Sequence, residues 1–462
     1  MENKPSKIFF SGIAGSGMSG IACFASDKGN FVWGSDRAFD SNPWHPVMKA
    51  LEARGIRIVP QDGRGIDESF DLAVFSTAVE PDSPEAARAK ELGVPVRTRP
   101  QYLAEIVAGY ETVAVSGTSG KSTAAGMTAF LMQRLGMKPN FMGGGRVRQF
   151  KTDSNPGNSL TGSSGYLVIE ACESDGSIVD YSPRHSVILN LALDHHPVGR
   201  TREMFEALVR NTSGSAVLNA DDANLRAISA KAAATFSINR PSDYKAEGVS
   251  LLPLGSEFSI RGVSARLNIP GGYNIYNALS SLAVLSEMGV PLKDAAPALE
   301  EFRGIERRFD IHLDDGRMLV IDDYAHNPHK ISSLMSAVNA LRESICYIFQ
   351  PHGFGPTRLM KDEYIEAFSS HLRQGDRLML LPIFYAGGTA SRDISSADLA
   401  EGIRARGKSA ETAGREDVLM RLKEWDSYVV LGARDDTLSD FAEDIAMRLS
   451  RGATPSAGGA TP

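Results

Sequence analysis

The chain has 462 residues, of which 23% are charged and 42% are hydrophobic, and its formal net charge is -7. A chain of this length exceeds one ordinary hydrophobic core and predicts two to four domains of about 100 to 200 residues. No apolar run reaches the roughly 18 residues of a membrane-spanning helix, and no basic cluster offers the surface that nucleic acids require. We therefore expect neither a membrane segment nor a nucleic-acid partner.

The chain ends and the cysteines bear on localisation. The amino terminus lacks the apolar segment and cleavage site of a secretory signal, and Cys23, Cys172 and Cys346 are too far apart for a CxxC motif. Both observations favour a reducing, cytoplasmic location. Residues 452–462 contain only small residues and proline, so we expect a disordered tail.

Strand-length apolar runs alternate with helix-length segments along most of the chain. This alternation predicts an α/β fold in which helices cover parallel sheets. The cycle starts at residues 7–13, again at 111–116 and again near 317. These restarts predict domains at 1–108, 109–310 and 311–451.

The first strand runs into a glycine cluster that opens a helix predicted over residues 17–28. The residues of interest are Gly12, Gly15, Ser16, Gly17 and Met18 in the turn, with Ser35 and Asp36 after the next strand. Such a turn can hold a pyrophosphate on its N–H groups, and an acidic residue about 20 positions on can bind a ribose. The pattern is compatible with a nicotinamide cofactor, a UDP-sugar or a plain tight turn.

The second cycle contains a loop that indicates phosphate binding between a strand and a helix. Its residues are Gly117, Thr118, Ser119, Gly120, Lys121, Ser122 and Thr123. Backbone N–H groups can cradle phosphate oxygens, Lys121 can reach the outer phosphates and Ser122 can ligate magnesium. A full Walker loop has glycine where this chain has Val115, so the loop is a shortened variant.

Two acidic clusters follow apolar strands in the same region. The first contains Glu170, Glu173 and Asp175, and the second contains Asp194, His195 and His196. Strand ends usually meet ligands in open α/β sheets, and carboxylate oxygens suit magnesium. The clusters predict a magnesium site, with solvated loop charge as the alternative.

The order of these motifs resembles that of the Mur ligases, most closely the branch of UDP-N-acetylmuramate:L-alanine ligase and the murein peptide ligases. The landmarks, which reach to about residue 450, are GIAGSGMSG with GSD, GTSGKST, EACESD, LALDHH, GGYNIYNALSS, GIERRF, DDYAHNP and FQPH. The resemblance implies a Rossmann-like N-terminal domain for a UDP-sugar, a central P-loop ATPase domain and a Rossmann-like C-terminal domain, with catalysis where they meet.

The resemblance also implies roles for individual residues. Lys121 and Ser122 would hold the ATP phosphates and a magnesium ion, with Glu173 as a further ligand, and His195 would serve a second magnesium. The remaining assignments are Asn274 and Asn277 for adenine, Asp323 for ribose, Arg308 for phosphates, and Tyr324, His326, His352 and Arg358 for the acceptor region. Of these residues, Lys121, Glu173, His195, Arg308 and His326 would be catalytic.

Several positions depart from the alanine-adding ligases. Where this chain has Ser119 and Cys172, those ligases have histidine and aspartate. Where it has Gly353 and Pro356, they have two arginines that hold the carboxylate of the incoming amino acid. The acceptor therefore stays open between L-alanine, which the resemblance implies, another amino acid, a peptide and an amine of a different pathway.

The expected function is an ATP-dependent, ADP-forming ligation, through an acyl phosphate, of a UDP-N-acetylmuramate-type carboxylate to an amino acid in peptidoglycan precursor synthesis. The alternatives are a murein peptide ligase of cell-wall recycling, a non-catalytic nucleotide-binding regulator and an NAD(P)-dependent oxidoreductase. An oxidoreductase would not explain the GTSGKST loop or the acidic clusters. We expect a monomer or a homodimer.

Overall fold

The computed structural model describes residues 4–41, 45–193, 196–229, 233–385 and 391–451. The chain divides into two compact units, Met1–Ile305 and Glu306–Pro462. Asp194, His195 and the tail predicted for 452–462 lie outside the described residues. The three domain boundaries stay a prediction.

A five-stranded parallel sheet begins the first unit. Its strands are β1 (Lys7–Ser11), β2 (Phe31–Ser35), β3 (Arg57–Ile58), β4 (Leu72–Phe75) and β5 (Val96–Thr98), and its helices are α1 (Ser16–Asp27), α2 (Arg37–Ser41), α3 (Pro46–Ala53), α4 (Pro84–Glu91) and α5 (Arg99–Ala108). The strand order is β3-β2-β1-β4-β5. The first strand is shorter than predicted because Gly12 turns the chain with a φ of +80°.

A ten-stranded sheet completes the first unit. Its strands are β6 (Glu111–Ser116), β7 (Asn140–Met142), β8 (Ser159–Leu160), β9 (Tyr166–Glu170), β10 (His185–Ile188), β11 (Ala216–Asn219), β12 (Ala234–Ser237), β13 (Tyr244–Leu252), β14 (Gly255–Ile260) and β15 (Val263–Leu267). The helices are α6 (Lys121–Arg134), α7 (Val198–Asn211), α8 (Arg226–Ser229), α9 (Tyr273–Glu287) and α10 (Leu292–Ala298). The strand order is β15-β14-β13-β12-β11-β10-β6-β9-β7-β8.

Both edges of this sheet differ from the parallel arrangement that the sequence predicts. Strands β13, β14 and β15 pair antiparallel, as do β7 and β8. A two-residue turn joins β14 to β15, and both of its residues, Arg261 and Gly262, have positive φ angles of 48° and 78°. Such a turn matches the twist of a hairpin, so local turn chemistry overrides the βα alternation here.

The second unit contains a six-stranded sheet. Its strands are β16 (Asp310–Asp314), β17 (Leu319–Asp323), β18 (Ile345–Gln350), β19 (Arg377–Leu380), β20 (Ala410–Thr412) and β21 (Ser427–Gly432), and its helices are α11 (Pro328–Asn339), α12 (Phe354–Leu359), α13 (Lys361–His371), α14 (Ser396–Ala405), α15 (Arg415–Met420) and α16 (Thr437–Arg451). The order is β16-β17-β21-β18-β19-β20, with only the β16–β17 pair antiparallel. Among the described residues, no helix is both long and apolar enough to cross a bilayer.

A buried arginine fixes the start of the second unit. Arg307 has a φ of +60°, and its guanidinium donates to the backbone oxygens of Gly432 at 2.7 Å and Asp435 at 3.0 Å. It also pairs with Asp322 at 3.3 Å, where the two side chains are 5% and 0% exposed. Burial raises the pKa of Asp322 to about 7, and the nearby Arg307 charge opposes that rise. The arginine therefore ties the first residues of the unit to β17 and to the end of β21.

We expect Arg307→Met to lower the free energy of unfolding of the full chain by about 3–5 kcal/mol, because it leaves a buried carboxylate and two carbonyls without their donor. Arg448→Met is the matched control, since Arg448 pairs with Asp444 on the exposed face of α16 and should cost less than about 1 kcal/mol. Urea denaturation measures both. Equal losses in the two variants would contradict a structural role for Arg307.

Candidate functional site

The predicted phosphate loop lies between β6 and α6. Gly117 and Gly120 have φ angles of +140° and +86°, in a region that favours glycine. The helix begins at Lys121, directly after the loop. The strand, loop and helix of the sequence prediction are therefore present, and the first N–H groups of α6 face the loop as an anion site requires.

Asn190 holds this loop from the neighbouring strand. Its Oδ1 accepts hydrogen bonds from the Thr118 hydroxyl and from the Ser119 N–H, both at 2.8 Å, and its Nδ2 donates to the Ser119 carbonyl at 2.9 Å. No sequence motif predicted a role for Asn190. The available signal was an amide side chain at the end of an apolar strand run, HSVILN, beside the phosphate loop in a parallel sheet.

Lys121 and Ser122 each meet a carboxylate of the first acidic cluster. Lys121 Nζ lies 2.9 Å from Glu173 Oε2 and donates to the Gly117 carbonyl at 2.6 Å. Ser122 donates to Glu170 Oε1 at 3.0 Å, and Glu170 Oε2 accepts from the Gly144 N–H at 2.8 Å. The structure thus brings the phosphate loop and the first acidic cluster together, as the sequence predicted.

The oxygen atoms beside the phosphate loop supply some of the ligands that a magnesium ion needs. A hydroxyl and two carboxylates are the oxygen ligands that Mg²⁺ takes, usually together with water and substrate phosphates. Glu173 is 1% exposed, and its Oε1 has no hydrogen-bond partner among the described residues. Across the described ranges, no three His, Cys, Asp or Glu residues form a cation site. Ser122 and Glu173 therefore fit a metal that nucleotide phosphates also ligate, while the role predicted for His195 lies outside the described residues.

Asn274 and Asn277 lie in the first turn of α9 and are buried. Asn277 donates to Asn274 Oδ1 at 2.9 Å, and Asn274 donates to the Pro270 carbonyl at 2.7 Å. A Cβ added to Gly120 would lie 2.5 Å from Asn277 Oδ1. Asn277 is therefore in direct contact with the phosphate loop, while the adenine contact stays a prediction.

The first glycine cluster opens α1, with Gly15 before the helix and Ser16, Gly17 and Met18 in its first turn. Asp36 Oδ2 accepts from the Ala14 N–H at 2.8 Å, so this carboxylate fixes the turn itself. Asn158 Nδ2 donates to the Ser16 carbonyl and to the Ser19 hydroxyl. The turn is thus held from two sides, and its use as a UDP-sugar site stays a prediction.

Ser35 lies behind this turn and binds a buried acid. Its hydroxyl donates to Glu85 Oε1 at 2.6 Å, and Ser11 contacts the other oxygen at 3.4 Å. Burial raises the pKa of Glu85, and the hydrogen bond from Ser35 opposes that rise. In the described structure Ser35 thus supports the sheet below the turn.

Arg99, like Asn190, was not predicted from the sequence. It pairs with Asp175 of the first acidic cluster at 2.6 Å. Cys172 is half-buried in the same loop, and its Sγ lies 3.0 Å from the Ser174 hydroxyl. His196, of the second cluster, lies with Nε2 3.1 Å from the Ser174 carbonyl. These contacts place His196 beside the loop of the first cluster, but they assign no chemical role to Cys172.

The predicted ligand residues of the second unit lie at the end of β17 and just before β16. Asp323 accepts from the N–H groups of Phe309 at 2.6 Å and Ala325 at 2.7 Å, so both carboxylate oxygens fix backbone. Arg308 is exposed beside this segment. The Tyr324 N–H donates to the Arg307 carbonyl at 2.8 Å. Ribose and phosphate contacts of Asp323 and Arg308 stay predictions.

Three rings of the predicted acceptor region contact each other edge to face. The Tyr324 and His326 rings lie 5.3 Å apart, and the His326 and His352 rings also lie 5.3 Å apart. Burial, with the nearby charges of His326 and Arg434, lowers the pKa of His352 to about 4. Burial also lowers the pKa of His326, although its contact with the Tyr324 carbonyl at 2.8 Å opposes this. Both imidazoles are therefore neutral at pH 7.

Arg358, the arginine retained after the FQPH motif, is already engaged. It donates to the Ser391 carbonyl at 3.0 Å and forms an ion pair with Asp393. Gly353 has a φ of +69° directly before α12, and Pro356 lies inside that helix. Arg392 lies 4.7 Å from the Tyr385 ring, beside a cleft lined by Gln350, Ile383, Tyr385 and Arg415. A second cation thus stands close to the region where the expected arginines are absent.

Three models of the Mur ligase family match the chain: the catalytic domain at residues 7–111, the middle domain at 115–285 and the glutamate ligase domain at 307–445. A UDP-N-acetylmuramate–L-alanine ligase from Methylococcus capsulatus is 34% identical, and the alignment covers 98% of each chain. The structure of UDP-N-acetylmuramate-alanine ligase MurC from Thermotoga maritima matches with a TM-score of 0.80 and 27% identity, over 97% of this chain and 100% of that chain. A murein peptide ligase from Psychrobacter arcticus shares the fold, with a TM-score of 0.67 and 24% identity, over 96% of this chain and 98% of that chain.

We expect Gly120→Ala to weaken binding of Mg²⁺–ATP by at least about tenfold, which corresponds to 1.4 kcal/mol. The added methyl group would strain the left-handed backbone and collide with Asn277. Gly136→Ala is the matched control, because Gly136 follows α6 with a φ of +74° and no atom within 4 Å of its added Cβ. Calorimetric titration of the two folded variants measures the difference, and equal affinities would contradict the role of the Gly120–Asn277 contact.

We expect the imidazole of His352 to stay neutral from pH 8 down to about pH 5, because burial disfavours its imidazolium. Nitrogen-15 NMR of histidine-labelled protein measures this, and His352→Gln assigns the signal. A His352 signal that titrates at the ordinary imidazole pKa of about 6.5 would contradict the prediction.

Proposed function

Because the chain belongs to the Mur ligase family, we propose that it joins the carboxylate of a UDP-N-acetylmuramate-type nucleotide sugar to the amine of an amino acid. The reaction consumes ATP, releases ADP and phosphate, and passes through an acyl phosphate. The enzyme would act in the cytoplasm, in peptidoglycan precursor synthesis, as a monomer or a homodimer. The family membership favours this ligase over an NAD(P)-dependent oxidoreductase.

One observation carries the proposal: Lys121, at the start of α6, lies 2.9 Å from buried Glu173. The pair places a cation for phosphates and an anion for a metal side by side, behind a loop that can cradle phosphate oxygens. Phosphoryl transfer depends mainly on positioning and on neutralising charge, which this arrangement supplies.

The chemistry proceeds in two steps. A carboxylate oxygen of the sugar nucleotide attacks the γ-phosphorus of ATP, the bond to the β,γ-bridging oxygen breaks, and ADP leaves. The amine of the acceptor then attacks the acyl carbon, a C–N bond forms, and phosphate leaves with the electron pair of the C–O bond. The amine loses a proton in this step, and the neutral imidazole of His326 is suited to accept it.

Each candidate site residue has its own proposed role in this reaction. The N–H groups of the loop bind the β- and γ-phosphates, and Lys121 stabilises the charge that moves toward the leaving group. Ser122 and Glu173 would hold Mg²⁺, which neutralises phosphate charge when bound. By resemblance to the family, Arg308 would also contact the phosphates. His195 would serve a second metal.

The residues identify the acceptor less directly than they identify the ATP-dependent step. The relative from Methylococcus capsulatus is named for L-alanine, which makes L-alanine the first acceptor to test. Arg358 pairs with Asp393, so this arginine is not free for a substrate carboxylate. Arg392, at the aromatic cleft, is the better candidate for that contact. The absence of arginine at Gly353 and Pro356 keeps another amino acid, or the peptide of a murein peptide ligase, as the second candidate.

We expect the protein to form an acyl hydroxamate from UDP-N-acetylmuramate, Mg²⁺–ATP and hydroxylamine, because hydroxylamine traps an acyl phosphate without an acceptor site. Lys121→Ala should lower the rate by roughly 100-fold or more while the protein stays folded. Lys293→Ala, on the exposed face of α10, is the control and should retain the rate. Mass spectrometry with a pool of amino acids and peptides then identifies the acceptor.

The outcomes separate the candidate functions. Hydroxamate with ADP supports the ligase, and the mass gained in the acceptor pool distinguishes an amino acid from a peptide. Binding of ATP without hydroxamate or ADP would favour a non-catalytic regulator. Release of AMP in place of ADP, or full activity of folded Lys121→Ala, would overturn the acyl-phosphate mechanism.

A further inference from the structure

Arg99 connects the two predicted ligand loops of the first unit. We propose that its guanidinium couples the first glycine loop to Glu173, so that the sugar nucleotide and Mg²⁺–ATP strengthen each other's binding. Arg99 is then a positioning residue, which acts on the ATP site through Asp175. This inference rests on the proposed function, because the ligands of both loops come from it.

The first contact of Arg99 is with the glycine loop. Arg99 begins α5, and a capping box between Thr98 and Gln101 fixes this helix start. A Cβ added to Gly17 would lie 3.4 Å from Arg99 Nη1 and 3.5 Å from its Cδ. The arginine side chain therefore lies against the turn that opens α1, where an anion would meet backbone N–H groups.

The second contact of Arg99 is with the loop that follows β9. Nη2 donates to Asp175 Oδ2 at 2.6 Å, and the two side chains are 19% and 17% exposed. The other oxygen, Oδ1, accepts from the N–H of Ser177 at 3.0 Å and from its hydroxyl at 2.6 Å. Asp175 is thus fixed at both oxygens, and it fixes the loop in turn.

That loop carries Glu173 two residues before Asp175. Glu173 pairs with Lys121 at 2.9 Å, and its second oxygen is buried without a partner among the described residues. A displacement of the loop would therefore move the proposed metal ligand and change the partner of the phosphate-binding lysine. Contacts therefore lead from Gly17 through Arg99 to Asp175, the backbone of the loop joins Asp175 to Glu173, and Glu173 pairs with Lys121.

Arginine suits this bridge better than lysine does. Its planar fork presents several N–H donors, so Nη2 can stay on Asp175 while Nη1 faces a second anion at Gly17. A pyrophosphate at the glycine loop would share the guanidinium with Asp175, and this sharing would hold the loop in the position that presents Glu173. Since coupling between two sites is reciprocal, Mg²⁺–ATP would tighten the sugar nucleotide by the same factor.

The test is calorimetric titration of the full chain with UDP-N-acetylmuramate, in the presence and absence of a saturating non-hydrolysable Mg²⁺–ATP analogue. The wild-type protein should bind the sugar nucleotide about fivefold tighter, or more, with the analogue present. Arg99→Met and Asp175→Asn should each bring this ratio close to one, because each removes the same bridge. The double variant should show no further loss, and Arg99→Lys should keep a smaller ratio than wild type.

Arg97→Met is the matched control. Arg97 lies two residues before Arg99 and pairs with Glu105 at 2.6 Å, but its pair is exposed, at 43% and 52%. This variant should keep the wild-type ratio. A wild-type ratio near one, or an unchanged ratio in folded Arg99→Met, would overturn the coupling while leaving the ligase proposal intact. Failure of the wild-type protein to bind either ligand would instead remove the proposed function. If Arg99→Met does not fold, Asp175→Asn and Arg99→Lys provide the same comparison.

Discussion

The parallel pairing of β6 with β10 on one side and β9 on the other is the constraint on which the candidate ATP site depends. Parallel strands end at the same edge of a sheet, so the loops that follow these three strands become neighbours. The segment after β6 carries Lys121, the segment after β9 carries Glu173 and the segment after β10 carries Asn190. The short distances from Lys121 to Glu173 and from Asn190 to the phosphate loop follow from this pairing, although the three segments are far apart in sequence. A register change in β6 would separate them all.

Local patterns predicted the parts of this site that lie within one strand, loop and helix. Glycines with positive φ, a lysine at the helix start and an apolar strand before them carry their own signal, and the same holds for the strands of the second unit. Asn190 and Arg99 were missed because their partners lie 71 and 76 residues away along the chain. Neither residue stands in a pattern of its own, so its role follows only from the sheet order. The hairpin of β14 and β15 was missed although its signal is local. Its two-residue turn sets the antiparallel pairing, whereas the prediction followed the surrounding βα alternation.

The second unit repeats the same geometry with different chemistry. Strand β21 lies between β17 and β18, so the segments after these strands meet at one edge. There the rings of Tyr324, His326 and His352 meet edge to face, and burial lowers the pKa of both imidazoles, which favours their neutral forms. A site that must receive an amine gains from a neutral base, since a buried imidazolium would repel the protonated amine and could accept no proton. The sequence predicted these residues by resemblance, but only the burial explains why they suit the task.

In the candidate ATP site, the Lys121–Glu173 pair would allow charged ligands to bind without leaving either side chain unpaired. Two buried ions are costly when separated, because the one that remains loses its partner in a medium that solvates it poorly. In the arrangement described here, each member has a second partner in the proposed complex: the lysine turns to phosphate oxygens and the glutamate turns to a cation. In the proposed complex, nucleotide and metal would therefore arrive together, because either one alone would separate the pair and leave the other member uncompensated. The ion pair would thus favour the metal complex of ATP over free ATP, even though few protein ligands for the metal are in place beforehand.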